Sequence, residues 1–172
     1  FNLEGLPREL ASAAPQQDLV WGPHVRMLQA HAGDPQQRHI GATGGVLTAL
    51  ACQLLESGEV GMIAHVRAAG DPPHFGEATI SRTTEEVLAA AGSRYGPTAA
   101  LAQIGTLLDG NQPFALIAKP CDLNAMRRLA HHDPRVDRLV RYWLTPVCGG
   151  YMPDVGFRQF ASRMGHDADS IT

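Results

Sequence analysis

The chain has 172 residues, 44% of them hydrophobic, with a formal net charge of −3 at pH 7. That is enough apolar material for one domain with a real core, and it excludes a disordered or collagen-like chain. There is no basic stripe to seat nucleic acid, no amino-terminal signal segment, and no apolar run near the roughly 20 residues of a spanning helix, so no nucleic-acid partner and no membrane span are expected and the expected address is cytoplasmic. Because the chain begins at Phe1 without a methionine, it reads as a piece of something longer.

In chain order, residues 1–21 are rich in Ala, Pro and Gln without a period and read as a leader or linker. The Gly22-Pro23 turn is followed by an expected strand at Val25–Ala30, and Asp34-Pro35 opens a polar loop. Gly41-Ala-Thr-Gly-Gly45 then leads into a helix expected from about Gly44 to Ser57 on the spacing of Val46, Leu47, Leu50, Leu54 and Leu55, with Gly58 as its left-handed stop. Thr43 reads as its N-cap, while Gly44 and Gly45 carry no side chain to block an anion from the first free amides. Glycines before a helix are equally often plain turn residues, and the loop lacks the G-x-G-x-x-G order of a dinucleotide fingerprint.

Strands are expected over Val60–Val66 and Ala78–Ser81, the first following its helix as in a βαβ unit. Thr83-Thr-Glu-Glu86 fits a capping box for a short helix ending near Gly92. Gly92-Ser-Arg-Tyr-Gly-Pro97 is a tight turn, with Pro97 expected to open a helix to about Leu108. Phe114–Ala118 reads as a strand feeding Lys119-Pro120-Cys121-Asp122, where Pro120 suits the first position of a helix to about His131. Arg138–Val147 is the last strand, closed by Cys148-Gly149-Gly150, and Asp154 is expected to cap a final helix to about Met164. The expected fold is α/β, a mostly parallel sheet with flanking helices, with a binding domain over 22–150 and residues 151–172 beginning a further carboxy-terminal region.

Ligands of such sheets collect beyond the carboxyl ends of the strands. The loops 41–45, 119–122 and 148–150, with the Ser93–Tyr95 turn, are therefore the candidate rim. Arg94 and Lys119 offer charge to a phosphate and Tyr95 a ring to stack, against the ordinary reading of two solvated cations and a half-buried tyrosine. Three cysteines form no C-x-x-C pair and do not complete a four-cysteine cluster. Cys52 reads as core; Cys121, in the first turn of a helix, suits a nucleophile, a ligand or a cofactor neighbour; Cys148 precedes two glycines that leave room for a metal cluster. The eight histidines show no metal-binding spacing, and neither a nucleophile elbow nor a P-loop is present.

The order of Gly22-Pro23, Asp34-Pro35, Thr43-Gly44-Gly45-Val46, Gly92-Ser93-Arg94-Tyr95, Pro120-Cys121 with Ala125, Arg127 and Leu129, and Cys148-Gly149-Gly150 resembles the beta-subunit family of coenzyme F-420 hydrogenases and dehydrogenases. The resemblance implies FAD as cofactor and electron transfer between iron-sulfur clusters, a redox partner subunit and a small-molecule acceptor such as a deazaflavin coenzyme. It implies that Gly41, Thr43, Gly44 and Gly45 hold the nucleotide, that Arg94, Tyr95, Lys119, Pro120 and Asp122 line its site, that Cys121 stands beside the reacting ring, and that Cys148 supplies a cluster ligand. Arg94 stands where the family has lysine, and Ala118-Lys119 where Gly-Thr is common. A nucleotide-binding or assembly module without catalysis is the alternative, and a Cys121 acyl-transfer enzyme a third reading.

Overall fold

The computed structural model describes residues 14, 16–72 and 74–170, in two compact units divided after Ala30. Most of the expected leader, residues 1–13, lies outside the described residues. The described part of the first unit is a hairpin, β1 (Gln16–Asp18) antiparallel to β2 (Gly22–His24), whose turn is closed by Asp18 accepting from the Val20 and Trp21 amides at 2.8 and 2.9 Å. The strand expected at Val25–Ala30 is not formed: pairing ends at Gln16↔His24, so the following residues have no partner strand.

The second unit holds α1 (Pro35–Ile40), α2 (Val46–Glu56), β3 (Ile63–Ala68), β4 (Gly76–Ser81), α3 (Thr84–Ala89), α4 (Ile104–Asp109), β5 (Phe114–Ile117), α5 (Pro120–Ala130), α6 (Arg135–Leu139), β6 (Val140–Leu144) and α7 (Asp154–Arg163). The sheet order is β4-β3-β5-β6, with β3, β5 and β6 parallel and β4 antiparallel at the edge. Strand alternation divides the apolar residues between two faces. Ile63 and Ala115 pack with Ala51, Cys52 and Val87 of α2 and α3, so Cys52 is core, as its helical position predicts. Met62, Ala64, Phe114, Leu116 and Val140 pack with Leu107, Leu108, Met126 and Val136 of α4, α5 and α6. The sheet is thus covered on both faces, as parallel strands require. On the second face Arg127 lays its guanidinium over Trp143, 4.1 Å from the ring centroid, tying α5 to β6.

Several local expectations hold. Thr83 and Glu86 form the capping box of α3, Pro120 opens α5, and Gly58 ends α2 at φ +71. Others are corrected. Asp34-Pro35 begins a helix instead of a loop, because the Asp34 carboxylate accepts from the Gln37 amide at 2.7 Å and Pro35 fits the first turn. The expected Pro97 helix starts at Ile104, since Pro97 is held extended with its carbonyl accepting from Gly76 at 3.1 Å. The last strand is shorter than Arg138–Val147, because Arg135–Leu139 coils as α6. Pro153, not Asp154, occupies the N-cap of α7, and the Asp154 carboxylate is taken by other partners.

Candidate functional site

Strand direction gathers the candidate loops. The carboxyl ends of β3, β5 and β6 share one edge of the sheet, from which the segments 69–75, 118–122 and 145–150 depart. Helix α2 runs into the opposite edge before β3, so its own amino end, with Gly41–Gly45, returns to the carboxyl edge. Helix α3 leaves β4 at the far edge and brings Gly92–Tyr95 back to it, where Thr98 bridges Gly76.

The glycine loop is built differently from a simple N-cap. Thr43, Gly44 and Gly45 all take left-handed backbone, with φ of 50, 73 and 72. Thr43 is therefore not the cap of α2: its hydroxyl donates to the Ala42 carbonyl at 2.8 Å, and the cap position falls to Gly45, leaving the first turn of α2 without a side-chain cap. The helix accordingly starts at Val46, two residues later than its apolar spacing suggests. Gly41 and Gly45 are required by packing: an ideal Cβ on Gly45 would lie 2.5 Å from the Gln37 carbonyl oxygen of α1, and one on Gly41 2.5 Å from Gly45 Cα. The Gly44 carbonyl accepts from Ala32 at 2.7 Å.

The Gly92–Tyr95 turn lies beside this loop, since a Cβ on Gly92 would sit 3.9 Å from the Ile40 carbonyl oxygen and 3.2 Å from Arg94 Nη1. Arg94 is exposed and donates to the Ser93 carbonyl at 3.0 Å. Tyr95 is 72% exposed, which sets aside the half-buried core reading and leaves its ring open to a ligand. Its carbonyl accepts from the Met152 amide at 2.9 Å.

At the head of α5, Lys119 Nζ stands 3.6 Å from Asp122 Oδ2, and that oxygen is buried with no hydrogen-bond partner among the described residues. Cys121 is exposed in the first turn, beside Pro120. Cys148 is half-buried, its thiol donating to the Gly150 carbonyl at 3.7 Å. Among the described residues no three His, Cys, Asp or Glu side chains converge as a metal site. No described hydrogen bond or ion pair joins Lys119–Asp122 or Cys148 to the glycine loop; they share its edge of the sheet only.

One buried and one part-buried histidine lie outside the residues singled out in the sequence. His65 Nε2 meets Ser81 Oγ at 2.7 Å between β3 and β4, and burial pushes this imidazole down to about 4. Ser81 lines a cavity of about 180 Å³ with Arg67, Thr79 and Glu86, below the roughly 300 Å³ of ordinary cofactor pockets. His74 donates from Nε2 to Asp154 Oδ1 at 2.9 Å. Neither histidine has a sequence signal, because each meets its partner across 16 or 80 residues.

An α/β sheet covered on both faces, with its loops gathered beyond the carboxyl ends of the parallel strands, defines the class that binds ligands at that edge. The model of the coenzyme F420 hydrogenase/dehydrogenase beta-subunit amino-terminal segment matches residues 27–104, and that of its carboxy-terminal segment matches residues 112–172. The chain belongs to the coenzyme F420 hydrogenase/dehydrogenase beta-subunit family. Its structure is similar to a chain of the F420-reducing NiFe hydrogenase complex from Methanosarcina barkeri, studied by xenon derivatization, with a TM-score of 0.67 and 20% identity over 77% of this chain and 47% of that one. The chain therefore spans about half the length of that subunit, and the likeness is one of fold. No curated protein sequence matches it. Among the described residues no helix is long and apolar enough to cross a membrane.

Proposed function

We propose that this chain is the flavin-binding part of an oxidoreductase subunit that passes electrons between iron-sulfur clusters and a second acceptor such as a deazaflavin coenzyme. The observation that carries the reading is the position, along one carboxyl edge, of the glycine loop, the Arg94–Tyr95 turn beside it and the head of α5, in a chain whose two halves match the family in order. The first turn of α2, without a side-chain cap, offers amides to the phosphates of FAD, with Gly41, Thr43, Gly44 and Gly45 shaping the approach and Arg94 adding charge. Tyr95 offers an exposed ring for stacking, and Lys119, Pro120 and Asp122 border the site. The buried Asp122 oxygen, ion-paired with Lys119 at 3.6 Å but without a hydrogen bond among the described residues, suits a hydroxyl or N–H donor of the ligand, and the exposed Cys121 would face the ring. Bound there, the flavin supplies the two-electron chemistry while the protein orients it and sets its potential.

Cluster ligands beyond Cys148 come from outside the described residues on this reading, by way of a partner subunit or further sequence. A nucleotide-binding or assembly module without catalysis is favoured by one observation: the space beside Gly41 and Gly45 is filled by α1 and by the loop itself. Visible absorbance of the natively purified protein, followed by titration with FAD, separates the two. Flavin absorbance, or saturable binding of about one FAD per chain, is expected on the stoichiometry of a single dinucleotide site. Protein that is colourless, takes up no FAD and still binds a redox partner subunit supports the module instead.

A further inference from the structure

His74 is buried in a way that packing alone does not explain. Its side chain is 10% exposed, its ring stacks on Phe157 with centroids 4.2 Å apart, and it meets Phe75 in a T-shaped contact with centroids 4.8 Å apart. A carboxylate only accepts, so the 2.9 Å contact with Asp154 places a proton on Nε2. Nδ1 is left buried with no partner among the described residues. An unsatisfied buried nitrogen disfavours histidine relative to an apolar ring of the same size, so the hydrogen bond to Asp154 must serve something that phenylalanine would not. Asp154 is held in turn by Arg158 at 3.1 Å, and Arg158 by Asp169 at 2.9 Å.

These contacts close on the Arg94–Tyr95 turn. A Cβ on Gly96 would overlap the His74 carbonyl oxygen and lie 3.4 Å from the imidazole Cδ2, so His74 is pressed against the residue after Tyr95. On the other side, the Tyr95 carbonyl accepts from Met152, two residues before Asp154. The path His74, Gly96, Tyr95, Met152, Asp154 and back to His74 is a closed circuit. It joins the amino-terminal family segment, which holds His74 and Tyr95, to the carboxy-terminal one, which holds Met152 and Asp154. We infer that His74 and Asp154 are a positioning pair that holds the Arg94–Tyr95 turn in place for ligand binding at the carboxyl edge. The identity of that ligand as FAD rests on the reading above; the circuit itself does not.

Amide hydrogen exchange at Met152 and FAD titration, both on the full chain, test the pair. His74→Ala should speed Met152 exchange and raise the FAD dissociation constant about tenfold, the effect of a displaced contact in an ordered site. His74→Gln, whose side-chain amide can still donate to Asp154, should recover most of both. Exchange at Leu116, in the core of β5, serves as the control for global unfolding. Should His74→Ala lose that protection as well, Asp154→Ala at the more exposed end of the contact makes the same comparison. Changes within about twofold in both readouts, the scale of ordinary background coupling, overturn the inference. So does equal damage by His74→Ala and His74→Gln, which would assign the effect to ring packing. Failure of the unmutated protein to bind FAD removes the flavin reading, and the Met152 exchange then decides the positioning pair by itself.

Discussion

Gly45 and Gly58 share a left-handed backbone, at φ +72 and +71, but not an environment. Nothing lies within 4 Å of a Cβ built on Gly58, whereas one on Gly45 meets the Gln37 carbonyl oxygen at 2.5 Å and the Ala32 Cβ at 3.2 Å. Alanine at Gly58 therefore pays the conformational cost alone, about 1 kcal/mol. At Gly45 it must also push α1 away from the loop, and the loss should reach about 3 kcal/mol with the added strain. Urea midpoints of the two variants at unchanged slope measure the difference; equal losses would mean that the loop does not rest on α1 as described. The sequence marks these glycines as turn residues but is silent on which of two jobs they do. Only the distance to Gln37, four residues before Gly41, reveals that the space a ligand is expected to enter at Gly45 holds protein backbone.

At the scale of elements, the legible ones carry either a long apolar face or a cap. Helix α5 is announced by Pro120 and its amphipathic spacing, α3 by Thr83 and Glu86, and β5 by an unbroken apolar run. Helices α1 and α6 escape the sequence reading: α1 has the Asp34 cap and Pro35 but buries no side chain, so the same two residues read equally well as a loop, and α6 buries only Val136 and Leu139 at the entrance to a strand, so neither leaves a period to detect. The site is legible to the same extent. Its loops are, because glycine and proline punctuate them, while the His74–Asp154 contact depends on α7 folding back on a loop 80 residues earlier. The β3–β4 pair has a further consequence. His65 titrates near 6.5 when unfolded and at about 4 when folded, so between these values the unfolded chain binds a proton that the folded one does not. Stability is full above the unfolded value and falls as pH drops toward the folded one, by about 2 kcal/mol between pH 7.5 and 5. Asp133 and Asp169 are held below 3.8 by their arginine partners, and Asp154, against the opposing effect of burial, by His74 and then Arg158, so their loss comes at lower pH. Urea unfolding at both pH values should show the decline in the unmutated protein and its flattening in His65→Gln; a flat profile in the unmutated protein refutes the buried neutral state.

Over the whole molecule, the two family segments are not two folding units. The amino-terminal segment supplies β3 and β4 and the carboxy-terminal one β5 and β6, yet they form one sheet, paired at Ile63↔Ala115 and Ala64↔Leu116. The larger core mixes them further, with Met62 and Ala64 packed among Phe114, Leu116, Met126 and Val136, and residues from His31 onward form one compact unit. A cut between Gly110 and Asn111, in the turn before β5, would open an apolar face on each piece that neither can cover. Neither 1–110 nor 111–172 should then give a dispersed amide spectrum alone, and the intact chain should lose Leu116 and Ile63 protection in one transition. Mixing the pieces should restore the spectrum if the parallel β3–β5 contact carries the association, and the carboxyl edge would be rebuilt with it. A 1–110 piece that folds alone would mean that the β3–β4 hairpin with α2 and α3 suffices as a core, and that the carboxyl edge is assembled by docking two finished domains instead of by completing one sheet.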